Sequence, residues 1–463
     1  MGDMRPPNAT ARQQFSRVLA RRAGASAADL AAALAVSLPT LHRLLAEQAD
    51  QVVVTGRARR TRYALRRALR DQLADLPLYA LDQTGGASLL SQLTPVQPQG
   101  SCMRLDATDW PVPDGARDGG WDGLPYPVYD MRPQGYLGRQ LARAQHRRLN
   151  LPANPDHWDD DEVLWALSQI GSDTSGNLIL GDAALERWQE AKLKPPEPVR
   201  SGAVGPAYAG LAALAIAAGV PGSSAAGEFP KFPALRELAG SNTPHVLVKF
   251  SGADTSPPVQ RWADLLVCEH LALQVAGALP GVQAARSRIV PSQGRCFLEV
   301  ERFDRHGLFG RSPLVSLATL DAALLGEGSA DWPRLAARLA AAGWLGAFDV
   351  LRVQHLWWFG RLIANTDMHT GNLSFRPQGG ALVLAPVYDM LPMRYAPLPG
   401  GELPGSGFEP ALPLPPQLPV WRTACAAAVD FWQAASLDSR ISEGFRQDCA
   451  ANALTLHRLA ERV

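Results

Sequence analysis

The chain is poor in lysine. Of its 45 basic residues only Lys192, Lys194, Lys231 and Lys249 are lysine, so arginine is the default cation. A planar guanidinium cannot replace a compact ammonium on a phosphate without changing the geometry, which makes each lysine a candidate for a specific task. Cysteine is sparse as well: Cys102, Cys268, Cys296, Cys425 and Cys449 are scattered, with no Cys-x-x-Cys pair. That pattern supports neither a disulfide framework nor a zinc site. Long apolar runs are missing too. The longest, Ala207 to Val220, falls short of the ~20 residues that cross a bilayer. The start, "MGDMRPPNAT", has no apolar stretch of the kind a secretory signal needs. A cytoplasmic protein with reduced thiols and no membrane partner is the expectation.

What is present is a chain of 463 residues, long enough for two or three domains, with a 46% apolar fraction that can fill sizeable cores. The net charge of +1 hides an asymmetry. Residues 11–70 hold twelve arginines against Asp29, Glu47 and Asp50, a balance of +9 that leaves −8 for the remainder. A basic module is joined to a larger acidic body.

The basic module reads as three helices. "ARQQFSRVLARR" carries Phe15, Val18 and Leu19 at helical spacing, "SAADLAAALAV" opens on Ser26 with Asp29 in the capping-box position, and "SLPTLHRLLAEQ" opens on Ser37. "QVVVTGRARRTRYALRR" then reads as a strand, a glycine turn loaded with arginine, and a second strand or helix. This order is that of a winged helix-turn-helix, in which the third helix enters a DNA groove and the wing grips phosphates. The expected DNA contacts are Thr40, His42 and Arg43 on the third helix and Arg57, Arg59, Arg60 and Arg62 on the wing. The bland alternative is a small helical bundle with a solvated basic face.

Further on, "YPVYDMRPQGYLGRQLARA" suggests a strand, a loop and a helix start, and "DDDEVLWALSQIGSDTSGNLILG" a helix over 161–169, a turn and a strand. The acids Asp159 to Asp161 resemble a metal cluster, but acids at a helix start more often compensate the helix dipole. "KLKPPEPVRSG" reads as a proline-rich connector. "HVLVKFS" alternates as a strand with Lys249 opposite Val246, Val248 and Phe250, "RCFLEVERFDR" is a second strand, and "DVLRVQHLWWFGRLIAN" is an amphipathic helix. "ALVLAPVYDM" reads as a strand ending at Asp389.

These elements bring an ordered set of chemically apt residues. A Ser/Gly-rich loop, "PGSSAAGEFPKF", carries Lys231; a strand carries Lys249; Asp264 and Glu269 follow on a helix. "NTDMHTGNLSF" places Asp367 five residues before Asn372, and Asp389 lies seventeen beyond Asn372. Phosphoryl transfer needs such parts: a mobile loop over phosphates, a lysine on them, an acid to accept the hydroxyl proton, and hard oxygen ligands for Mg²⁺. Each signal alone is weak, and Asp367, Asn372, Lys249 or Asp389 could individually serve a turn, a surface or a cap. His369 fits a loop-supporting hydrogen bond better than a metal, since no second histidine stands at ligand spacing.

"IGSDTSGNLIL", "SSAAGEFPK", "HVLVKF", "EVERFDR", "NTDMHTGNLSF" and "LAPVYDM" resemble, in order, the motifs of HipA-like serine/threonine kinases, the toxin family of bacterial persistence modules. The resemblance covers roughly residues 125–463, and the fused N-terminal module resembles the YjjJ (HipH) subgroup. It implies an α+β, protein-kinase-like bilobal fold preceded by the winged helix-turn-helix domain. The implied domains are 1–75 for DNA, 76–200 and 201–304 for a β-rich N-lobe, and 305–463 for an α-helical C-lobe. ATP and Mg²⁺ are the implied cofactors. Asp367 would be the catalytic base, Asn372 and Asp389 the metal ligands, and Lys249 would sit on the ATP phosphates. Glu301 and Phe303 would form the adenine hinge, and Ser224, Gly227 and Lys231 would line the nucleotide loop. Ser224, with Ser223 beside it, matches the position of the family's autophosphorylated serine. A protein substrate, DNA, an antitoxin and a second copy of the chain are the implied partners.

Two departures stand out: Gly371 occupies a position where many relatives carry lysine, and Phe229 and Pro230 replace a more polar pair. Two other readings remain open at this stage. One is a small-molecule kinase of the aminoglycoside-phosphotransferase type, which shares the Asp-to-Asn spacing. The other is a DNA-binding regulator with an inactive kinase-like body.

Overall fold

Local capping sets the first elements. Ser26 accepts from the Asp29 N–H while the Asp29 carboxylate accepts from the Ser26 N–H, and this reciprocal box starts the second helix. The computed structural model describes residues 9–463 except 23, 74, 107, 218–228, 238–239 and 406; Ser223, Ser224 and Gly227 lie outside the described residues. The chain divides into two compact units.

The first unit comprises residues 1–81, 87–132 and 158–193. It begins with α1 (Ala9–Ala20), α2 (Ala27–Leu34) and α3 (Leu38–Glu47), followed by β1 (Val52–Thr55) and β2 (Arg62–Leu65) paired antiparallel. Phe15, Leu19, Leu30, Leu41 and Leu44 close the core between the helices. The expected second strand after the arginine turn is therefore a strand and not a helix. A five-stranded sheet follows in the order β6-β5-β4-β3-β7, built from β3 (Leu76–Leu81), β4 (Ala87–Pro95), β5 (Ser101–Cys102), β6 (Gly120–Trp121) and β7 (Leu178–Leu180).

The stretch expected as a strand at "YPVY" is instead the short helix α4 (Tyr126–Tyr129). Pro127 has no N–H to give to a ladder but is tolerated in a first helical turn, which explains the change. The helix expected over 161–169 is α6 (Asp160–Ile170); α7 (Asp182–Leu193) follows. Asp159 caps α6 through a box with Glu162, and Asp161 pairs with Arg67 at 2.6 Å. The acid run thus serves the helix start, and no metal-binding group of three or more His, Cys, Asp or Glu occurs among the described residues.

The second unit comprises residues 82–86, 133–157 and 194–463. After α5 (Gly135–Leu149) and α8 (Val204–Ala217) comes an antiparallel sheet in the order β10-β11-β9-β8. Its strands are β8 (Lys231–Leu235), β9 (His245–Phe250), β10 (Ser287–Ser292) and β11 (Arg295–Glu301), with α9 (Pro257–Ala276) between β9 and β10. Val246, Val248 and Phe250 pack with Phe232, Phe297 and Tyr208, as the alternation of β9 requires. The rest is mainly helical: α10 (Leu317–Leu320), α11 (Trp332–Ala341), α12 (Ala347–Leu362), α13 (Leu418–Leu437) and α14 (Glu443–Ala460). Two small sheets interrupt it, β12 (Arg305–His306) with β13 (Gly310–Arg311), and β14 (Val315–Ser316) with β15 (Ser374–Gln378) and β16 (Ala381–Leu384).

The strand expected to run to Asp389 stops at Leu384, because Pro386 cannot continue the ladder and the backbone of Asp389 is left-handed at φ +52°. Among the described residues no single helix is long and apolar enough to cross a membrane.

Candidate functional site

The site lies in the second unit, where β9, α9, the segment after α12 and the segment after β16 converge. α12 ends with Ala364 in the left-handed conformation (φ +59°) and the Asn365 N–H donating to the Gly360 carbonyl at 2.9 Å. This is a Schellman-type stop, and it turns the chain into the loop that carries Asp367. A β-carbon at Gly360 would stand 2.5 Å from the Met368 sulfur and 3.2 Å from that of Met390, so any larger residue there would push the Met368 thioether aside.

The loop is held by its own amides. Asn365 Oδ1 accepts from the Asp367 N–H at 3.0 Å, and Asn372 Nδ2 donates to the Asp367 carbonyl at 2.8 Å. The latter bond fixes the amide orientation of Asn372, and its Oδ1 has no hydrogen-bond partner among the described residues. Asp367 itself is exposed. His369 Nδ1 accepts from the Gly371 N–H at 3.1 Å, which is the supporting role expected for it. A β-carbon at Gly371 would lie 2.9 Å from that ring nitrogen, so any larger residue there would require the imidazole to move.

Lys249 is 3% exposed and not a surface strand residue. Its ammonium lies 2.7 Å from both carboxylate oxygens of Glu269 and also donates to Asp389. Glu269 is thus the acid that meets the lysine. Asp264 faces elsewhere, accepting from the Ser442 N–H at 2.8 Å and from the Ser442 hydroxyl. The two acids are five residues apart on one helix, which sets them about 140° apart around its axis.

Burial opposes every charge in this cluster. For Lys249 the carboxylates of Asp389 and Glu269 outweigh burial and raise its pKa above the ordinary lysine value. Burial pushes the Glu269 carboxyl up, with Lys249 pulling it back. For Asp389 burial also pushes upward, but Lys249 and Lys231 outweigh it and hold the carboxyl below the usual aspartate range. Lys231 stands opposite Lys249 in the β8–β9 register and is half-buried.

Glu301 ends β11 and Phe303 follows it; the Phe303 carbonyl accepts from Arg376 at 2.8 Å, and its ring meets Tyr388 at 5.8 Å. Several positioning residues carry no sequence signal of their own. Asn365 could have been found, since an Asn two residues before an Asp suits an Asx turn. Tyr388 and Arg376 could not. Phe229, a departure already visible in the sequence, packs its ring edge-on against Trp262 at 4.7 Å and lies 5.9 Å from the Lys249 ammonium.

A hard-oxygen pair, Asn372 Oδ1 and the Asp389 carboxylate, suits Mg²⁺, which takes few protein ligands and completes its shell with water and phosphate. The donor set therefore fits the metal expected for this site.

In the first unit His42, Arg43, Arg57, Arg59 and Arg60 are exposed. Thr40 is half-buried and bonds the Ser37 hydroxyl at 3.0 Å, while Arg62 donates to the Thr61 carbonyl at 3.1 Å.

Comparison with known proteins agrees with this architecture. Residues 223–443 match the HipA-like C-terminal domain, and residues 72–189 match the YjjJ-like toxin, middle domain. The fold resembles that of HipA in the Shewanella oneidensis MR-1 HipA, HipB and operator DNA complex, with a TM-score of 0.51 and 16% identity over 84% of this chain and 97% of that one. The chain is 38% identical to Toxin YjjJ of Escherichia coli (strain K12) over 95% of its own length and 96% of that protein's. It belongs to the YjjJ-like toxins of the HipA-like family.

Proposed function

We propose that the protein is an ATP- and Mg²⁺-dependent serine/threonine protein kinase of the HipA-like toxin type. One observation carries the reading: a single buried ammonium, Lys249, joins Glu269 of α9 to Asp389, beside the loop of Asp367 and Asn372. Kinases assemble this Lys–Glu pair and a metal-holding Asp for the same purpose.

In the proposed reaction Asp367 accepts the proton of a substrate serine or threonine hydroxyl. That oxygen bonds the γ-phosphorus as the bond to the ADP oxygen breaks. Lys249, oriented by Glu269, holds the α/β-phosphates, and Asn372 and Asp389 hold the metal. When bound, Mg²⁺ neutralises the charge that develops on the transferred phosphoryl group. Glu301 and Phe303 meet adenine through backbone groups, and the Phe303 N–H has no hydrogen-bond partner among the described residues. Ser224, Gly227 and Lys231 line the nucleotide loop, with Ser224 or Ser223 as autophosphorylation site. The first 75 residues act as a winged helix-turn-helix that binds DNA through Thr40, His42, Arg43, Arg57, Arg59, Arg60 and Arg62.

The solved HipA relative was captured with HipB and operator DNA, which supports a HipB-like antitoxin and DNA as partners. A cytoplasmic location and a homodimer are further parts of the proposal. Titration with Mg-ATP tests the nucleotide site: wild type binds, and Lys249→Ala weakens binding at least tenfold. Absence of wild-type binding at millimolar Mg-ATP would sink the kinase reading and leave a DNA-binding regulator.

A further inference from the structure

The tip of the β1–β2 hairpin is docked within the first unit in a way that its own sequence does not explain. Gly56, at φ +70°, donates its N–H to the Asp118 carbonyl at 3.3 Å. A β-carbon there would stand 2.3 Å from the Arg60 carbonyl and 3.3 Å from Asp118 Cγ, so the turn reaches this position only as glycine. The hairpin is tied down at its base as well. The Gln97 N–H donates to the Leu65 carbonyl at 2.8 Å, and the Arg67 guanidinium to the Val96 carbonyl at 2.7 Å.

Opposite the tip lies the end of the β5–β6 pair, where the Met103 N–H donates to the Gly119 carbonyl at 2.8 Å. That bond sets Arg104 beside Arg117 and Asp118. The result is a cleft of about 380 Å³ lined by Gly56, Arg57, Arg60, Arg104, Asp106, Arg117 and Asp118.

The charges are unequal. Four guanidiniums face two carboxylates, and all four arginines are exposed. Arg104 is paired with Asp106 (Nε to Oδ2, 2.7 Å), and Arg117 with the exposed Asp114 at 2.7 Å. Both pairs are solvated and weak enough for a phosphate to displace them. Arg57 and Arg60 have no ion-pair partner among the described residues. A cleft with this surplus, shaped by backbone bonds and fringed by five-donor forks, suits a phosphate oxygen.

We infer that this cleft grips the phosphate backbone of duplex DNA, so that Arg104 and Arg117 of the middle domain extend the DNA-binding surface beyond the hairpin. The inference rests on the proposed DNA binding. It departs from that proposal in assigning part of the phosphate grip to residues outside the helix-turn-helix.

The test is duplex binding by the full-length protein, followed by fluorescence anisotropy between 50 and 200 mM salt. Three variants are compared with wild type: Arg57→Ala/Arg60→Ala, Arg104→Ala/Arg117→Ala, and Asp118→Asn. Each phosphate contact contributes about 0.9 to the slope of log K against log salt, or roughly fivefold in affinity at 150 mM. Both double variants are expected to weaken binding, each lowering the slope by about 1–2, while Asp118→Asn tightens it.

An Arg104→Ala/Arg117→Ala protein with wild-type affinity and slope overturns the inference, even though wild-type binding and a weakened hairpin variant would leave the DNA-binding reading standing. Unaltered affinity in Asp118→Asn counts against it independently of how the arginine variants fold. Failure of the wild type to bind duplex at 50 mM salt overturns both. Pyrophosphate binding that needs Arg104 and Arg117, with duplex binding unchanged in their absence, assigns the cleft to a free anion and overturns the inference as well.

Discussion

The Tyr388 hydroxyl donates to the Gly371 carbonyl at 2.8 Å and, having a single proton, accepts from the Ser374 hydroxyl at 2.7 Å. One side chain therefore ties the residue before Asp389 to the residue before Asn372, so the two proposed metal ligands are positioned together. Tyr388→Phe should lower stability by about 1–2 kcal/mol, the cost of leaving a half-buried carbonyl without a donor. It should also weaken Mg²⁺ dependence more than nucleotide binding. Denaturant midpoints and the Mg²⁺ concentration for half-maximal activity measure the two effects.

Glu269 and Asp264 serve different partners, and their amide variants should separate. Glu269→Gln breaks a buried ion pair at a cost of about 3 kcal/mol and removes the group that orients Lys249. Asp264→Asn instead loosens its bonds to Ser442 and Gln260 and its pairing with Arg261, away from Lys249. Phosphoryl transfer should be lost in the first and retained in the second; equal losses would contradict the assignment.

Gly360→Ala should destabilise by about 1–3 kcal/mol through overpacking against Met368 and Met390. Gly360→Ala combined with Met368→Ala should recover part of that loss, and thermal unfolding of both proteins checks it.

The pH response follows from the direction of each shift. The depressed Asp389 carboxyl contributes stability above about pH 3.9, its unfolded value, and that contribution is lost as pH falls through the lower folded pKa. The raised Lys249 ammonium contributes fully below about pH 10.4 and loses its contribution as pH rises through the higher folded pKa. The stability difference between wild type and Asp389→Asn should therefore shrink below pH 4, and between pH 5 and 9 it should vary with the titration of Glu269, whose carboxyl burial raises to about 7 with the Asp389 charge adding to the rise. Urea denaturation at pH 3, 5, 7 and 9 measures it.

Much of this site was legible in the sequence because it depends on spacing within single segments. The five-residue step from Asp367 to Asn372 and the lysine on an alternating strand reflect local geometry, as does the capping acid Asp29 in the first unit. The unreadable parts are those that only packing decides. Whether Asp264 or Glu269 turns toward Lys249 depends on the rotation of α9 about its axis. The reach of Tyr388 to Gly371 depends on how β15 and β16 return the chain. "YPVY" became a helix because Pro127 has no N–H for a ladder but is tolerated in a first helical turn. The strand ended five residues before Asp389 for the same reason, with Pro386 stopping the ladder and the left-handed backbone of Asp389 aiming its carboxylate at Lys249.

Transfer of labelled γ-phosphate from Mg-ATP tests the central claim most directly, with wild type, Asp367→Ala and Asp389→Ala each incubated alone and with a cell lysate. The account predicts label on Ser223 or Ser224 and on lysate protein with wild type only. Absence of transfer by the wild type, or equal transfer by either variant, would contradict it.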